Sequence, residues 1–166
     1  MLLIAAMSLS LLGQSDPGPH RPGRPVAVPA RARLYQLGPW LIAVTPDRFA
    51  GTVGCRVHTR DVSLQRDTLI FRVAAAGDTT GSVFRIDSGP PRPVAEVFDA
   101  VEAHGFFPQR GWVIDPNGGE AALPAASVAG ARMVAIRVSP GRRPRRFEVA
   151  RLAEVEAAAR GLGCQV

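Results

Sequence analysis

Residues 132–166 read RMVAIRVSPGRRPRRFEVARLAEVEAAARGLGCQV. Arg132 to Val138 alternates apolar and polar positions, the period-two signature of a strand with one face toward a core. Pro140-Gly141 opens a turn, and Arg145 to Val149 supplies a second β-rich run. From about Ala150 to Leu162 the period changes: Leu152, Val155, Ala159 and Leu162 fall on one helical face, Glu156 and Arg160 form a favourable i,i+4 pair, and Gly161 and Gly163 end the helix. Two antiparallel strands followed by a helix that needs a surface to cover predict an α+β domain.

The upstream sequence extends this pattern. An apolar pattern begins at Leu34, and Trp40 to Val44 reads as a strand entering the core. Thr52 to Thr59 (TVGCRVHT) is another, with Val53, Cys55, Val57 and Thr59 on one face and Arg56 and His58 on the other. Thr68 to Val73 and Ser82 to Asp87 are two β-rich runs whose connection contains Gly77, Asp78 and Gly81, which predicts a hairpin with a long loop. After a Pro-rich break, Val94, Val97, Phe98 and Val101 predict an amphipathic helix ending at Gly105, with Phe106, Phe107 and Trp112 adding core mass. Asn117-Gly118-Gly119 is a turn, Glu120 to Pro124 a short strand and Ala125 to Gly130 a helical turn. The expected architecture is one domain over 34–166: a mainly antiparallel sheet with a mid-chain and a C-terminal helix packed on it.

The chain has only two cysteines. Cys55 lies on an inward strand face and Cys164 just past a helix, so a bridge between them would staple helix to sheet. It would close a loop on the order of 100 residues, for which chain entropy gives roughly 4 to 5 kcal/mol. Such a pair belongs to an oxidising compartment. Catalysis by a Cys–His pair is disfavoured, because the three-residue spacing of Cys55 and His58 on a strand sends them to opposite faces. No C-x-x-C pair, zinc-ligand spacing, G-x-S-x-G elbow or dinucleotide glycine fingerprint is present. No cofactor is expected.

All 20 basic residues are arginine and the formal charge is +6. Without lysine, neither a P-loop nor Schiff-base chemistry is possible. The one dense cluster is Arg142, Arg143, Arg145 and Arg146, at the tip of the predicted hairpin, where four guanidinium groups would project together. Such a cluster reads first as a solvated turn that discourages edge-to-edge pairing; because arginine forks bind phosphate and carboxylate bidentately, the alternative is a contact for an anionic surface, an envelope component or an acidic partner. A nucleic-acid surface would interleave aromatics, and this cluster contains none.

Met1 to Leu12 is apolar and uncharged, and Gly13 and Ser15 fit a cleavage site, so residues 1–15 read as a signal peptide, too short to span a bilayer. Residues 16–33, rich in Pro and Arg, read as an extended linker. The mature form is expected to lack a transmembrane span.

From Ala121 to Pro124, through Arg132 to Val138 and Arg146 to Val149, to Leu152–Ala159, the chain resembles small secreted bacterial proteins of the invasion-associated locus B type. That resemblance implies an exported, β-rich, disulfide-bonded protein of the periplasm or envelope with no active-site signature. The expected function is therefore a non-catalytic accessory or binding role. The competing class is a small periplasmic hydrolase using His58 and carboxylates, which would require a cleft bringing His58 and two acids together.

Overall fold

The computed structural model describes residues 31–73, 81–97, 114–115 and 119–166. Eleven strands appear among them: β1 (Arg33–Leu37), β2 (Trp40–Asp47), β3 (Thr52–His58), β4 (Val62–Gln65), β5 (Thr68–Arg72), β6 (Val83–Ile86), β7 (Arg92–Pro93), β8 (Ile114–Asp115), β9 (Glu120–Pro124), β10 (Met133–Arg137) and β11 (Arg145–Glu148). Among the described residues one α-helix, α1 (Leu152–Gly161), follows the last strand. The strands form a seven-stranded sheet, β1-β2-β3-β4-β5-β9-β8, and a four-stranded sheet, β11-β10-β6-β7. All described pairings are antiparallel. The fold is α+β.

Period-two alternation puts Trp40, Ile42 and Val44 of β2, Val57 of β3, Leu64 of β4, Leu69 and Phe71 of β5 and Leu123 of β9 into one core with Phe84, Val134, Ile136 and Phe147 of the smaller sheet. Phe71 and Phe147 meet edge to face, their ring centroids 5.1 Å apart. Leu152, Val155 and Ala159 are the buried face of α1, as the spacing predicts. Trp40 is fully buried, yet its indole N–H donates to the Ala150 carbonyl at 2.9 Å. This satisfies the one polar atom of a large apolar side chain and ties β2 to the approach of α1.

Both ends of α1 are specified by backbone geometry. Arg151 precedes the helix at φ 66°, without a side-chain cap, and its guanidinium bonds Glu154 Oε2 at 3.0 and 2.6 Å. That hydrogen bond holds the exposed Glu154 carboxyl below its ordinary pKa. At the other end Gly163 takes φ 85°, its N–H bonds the Arg160 carbonyl, and the Cys164 N–H bonds the Ala159 carbonyl, each at 3.0 Å. This is a Schellman cap, in which the left-handed residue turns the chain back across the last helical turn. The turn delivers Cys164 to Cys55, and the two form the disulfide, with Cα atoms 5.5 Å apart and 109 residues of separation. Cys55 lies opposite Val44, on the core-facing side of β3.

Three sequence expectations change. First, Thr68–Arg72 and Val83–Ile86 do not form a hairpin: β5 is flanked by β4 and β9, while β6 lies in the other sheet between β10 and β7. The partner of β5 is the four-residue β4, which returns through Arg66 (φ 46°) and Asp67 (φ 59°), two consecutive left-handed residues as a type I′ turn requires. Second, the apolar pattern from Leu34 is two strands, β1 and β2, joined by Gly38 (φ 59°) and Pro39. Third, Val94–Val97 is a 3-10 turn with Val94 and Val97 buried. The remainder of the expected helix to Gly105, together with Phe106, Phe107, Trp112, residues 1–15 and most of 16–33, lies outside the described residues. By contrast, Glu120–Pro124 has the predicted bounds, Ala125–Val128 is a 3-10 turn within the predicted helical turn, and β10 and β11 pair as expected.

Candidate functional site

The β10–β11 connection, which carries the arginine cluster, is braced from beneath. Gly81 (φ 75°) lies so close to Pro140 that a β-carbon there would stand 3.3 Å from Pro140 Cγ. Beside it, the buried Ser82 hydroxyl donates to the Val138 carbonyl at 2.9 Å. Gly141 adopts φ 80°, and the Arg142 N–H reaches the Ser139 carbonyl at 3.3 Å. The loop is therefore folded back on the end of the smaller sheet.

Arg142, Arg143 and Arg145 line one cleft of about 380 Å³ whose other described lining is Gly141, Val73, Ile136 and Val138. Arg145 lies opposite Ile136 and shares a face with Phe147, so its guanidinium carbon rests 5.4 Å from the Phe147 ring centroid. Its Nη2 also stands 3.6 Å from Asp61 Oδ2, in the β3–β4 connection of the larger sheet. A ring face and a carboxylate thus orient a side chain that carries considerable rotamer entropy when free.

Arg146 is not with the other three. It pairs with Ala135, and period two places it on the opposite face of β11. Arg85 of β6 lies on the other side of the same Ala135, so Arg146 belongs to a second basic row.

A second hollow, about 290 Å³, lies over the outer face of the larger sheet, and its lining includes His58, Asp61, Glu120, Arg56, Arg60 and Arg72. The His58 Nδ1–H donates to the Thr59 carbonyl at 2.9 Å, because that oxygen can only accept, so in the neutral tautomer the ring lone pair lies on Nε2. Ser63 is directly opposite His58 in the ladder. Each acid has a cationic neighbour: Asp61 faces Arg145, and Glu120 lies opposite Arg72. Cys55 is on the other face of β3 and its sulfur is consumed in the disulfide. Among the described residues no three of His, Cys, Asp and Glu are grouped to hold a metal ion, and no helix is long and apolar enough to cross a membrane.

Sequence reasoning missed Asp61 as the partner of Arg145, because the contact joins two sheets across 84 positions whose packing no local pattern encodes. It also missed the Gly81–Pro140 brace. The splitting of Arg145 from Arg146 was readable from strand alternation alone. Protein-family models, curated proteins and solved structures yield no match to this chain.

Proposed function

We propose that this chain is an exported, periplasmic, non-catalytic binding protein that engages an anionic group of an envelope component through Arg142, Arg143 and Arg145. One observation carries the reading: three guanidinium groups line a single cleft on a loop braced by Gly81 and Ser82. Arg145, held by the Phe147 ring and Asp61, loses less freedom on binding an oxyanion than a free side chain does. The disulfide fits an oxidising compartment, and the apolar stretch Met1 to Leu12 reads as the core of an export signal. The order β10, arginine loop, β11, α1 is also the order that the likeness to invasion-associated locus B proteins implies.

The test is retention on anionic vesicles or lipopolysaccharide. Replacing Arg142, Arg143 and Arg145 with Ser abolishes retention on this reading, whereas Arg146→Ser, on the opposite face of β11, leaves most of it. Equal loss in Arg145→Ser and Arg146→Ser, which remove one charge each from opposite faces of β11, would reduce the effect to net charge and reject the cleft. Export is checked separately by the mass of the periplasmic form, expected to lack about the first 15 residues of the leader.

A second reading rests on the hollow that holds His58 with Asp61 and Glu120, a small hydrolase site in which Nε2 serves as base. It ranks below the first because both acids face arginines. His58→Ala tested against a panel of ester and phosphoester substrates decides it: activity abolished by this single change establishes the hydrolase, and an inactive wild type removes it.

A further inference from the structure

Resting on the anion-binding reading, we infer that the group held between Arg142, Arg143 and Arg145 is a phosphomonoester dianion, and that Asp61 competes with it for Arg145. The charges around the cleft select the ligand. The three lining guanidinium groups carry +3, and Asp61, which lines the neighbouring hollow and stands 3.6 Å from Arg145, contributes −1. The resulting +2 matches a phosphomonoester, which carries about −1.5 to −2 at neutral pH and offers three terminal oxygens to the arginine forks. A phosphodiester or a carboxylate, with one negative charge, leaves one arginine without a counter-ion.

The apolar lining argues against an acyl chain as the recognised part. Val73, Ile136 and Val138 are 5%, 1% and 7% exposed, so little apolar surface remains for a tail to cover. The cleft, near 380 Å³, is toward the small end of the roughly 300 to 1,000 Å³ typical of ligand sites, a size suited to a compact head group. Without ligand, Asp61 and the Phe147 ring hold Arg145 in place; a phosphate oxygen then shares the Arg145 fork with Asp61, whose charge stays beside the cleft. The oxyanion is the same whether it ends a lipid or a soluble metabolite.

Calorimetric titration of the oxidised, exported chain with methyl phosphate, dimethyl phosphate and acetate tests the ligand class at pH 7.5, where methyl phosphate is a dianion. Methyl phosphate is expected to bind at least about ten-fold more tightly than the two monoanions, the ratio that follows from one additional close charge near a protein surface. Asp61→Asn is expected to tighten methyl phosphate several-fold, and weaker binding in that variant would overturn the competition. Comparable binding of all three probes, lost in the Arg142/Arg143/Arg145→Ser variant, overturns the phosphomonoester assignment while leaving the anion-binding reading intact. Binding of none of them removes both. Vesicles containing phosphatidic acid or, at equal surface charge, phosphatidylglycerol distinguish the source. Selective retention on the former supports a lipid head group, and methyl phosphate binding without retention supports a soluble phosphomonoester.

Discussion

Arg145 of the smaller sheet reaches Asp61 of the larger one, with 3.6 Å between Nη2 and Oδ2. The side chains are 44% and 39% exposed, so solvent screens the pair and its contribution to stability is at most about 1 kcal/mol. Asp61→Asn should therefore move the urea midpoint very little. A loss well above 1 kcal/mol would show that the pair holds the sheets together rather than tuning a surface.

The sheets are instead joined by Phe71 and Phe147, both buried and in edge-to-face contact. Phe147→Ala should cost about 3 to 5 kcal/mol through lost burial and the cavity left behind. A double-mutant cycle with Phe71→Leu and Phe147→Leu should show about 1 kcal/mol of coupling. Additive effects would contradict a specific ring contact.

At the β4–β5 turn, Arg66 and Asp67 both occupy left-handed backbone that Asn-Gly adopts at lower cost. The pair Arg66→Asn and Asp67→Gly should stabilise the fold by about 1 kcal/mol, read as a higher urea midpoint with unchanged slope. The exposed Asp67–Arg160 contact, at 3.6 Å, is too weak to offset the gain.

Gly163 sets the direction of the chain after α1. Gly163→Ala should destabilise by about 1 kcal/mol, because φ 85° brings its new β-carbon against the backbone. It should also lower the fraction of oxidised protein at a fixed glutathione potential, since Cys164 is aimed by the same turn. An unchanged fraction would mean that the disulfide positions the cap, and not the reverse.

Removing the bridge with Cys55→Ala and Cys164→Ala should cost up to about 5 kcal/mol on the chain-entropy relation, given the 109-residue separation. Chemical denaturation under non-reducing conditions measures it.

What was legible in the sequence follows from the range of each interaction. Glu120–Pro124, β10, β11 and the buried face of α1 were readable because alternation and helical spacing are local and each element buries the face its pattern displays. β4 was missed because four residues are too short to display a period and its turn, Arg66-Asp67, lacks the expected Asn or Gly. The false β5–β6 hairpin came from assuming that neighbours in sequence pair in space, whereas β9 occupies that edge of β5. The candidate site was half legible. Its arginines stand out in the sequence, but Asp61, Val73 and the Gly81–Pro140 brace enter only when two sheets are packed.

The Cys55–Cys164 bond also has a topological effect. It makes a covalent ring of everything from β3 to the end of α1, leaving β1 and β2 as an arm outside it. Both hollows draw their described lining, from Arg56 to Arg145, from inside that ring. A single backbone cut anywhere within it opens the ring without releasing a fragment, so a nicked molecule still carries every arginine of the cleft on one covalent body. Under limited proteolysis, the bond acts as a retainer.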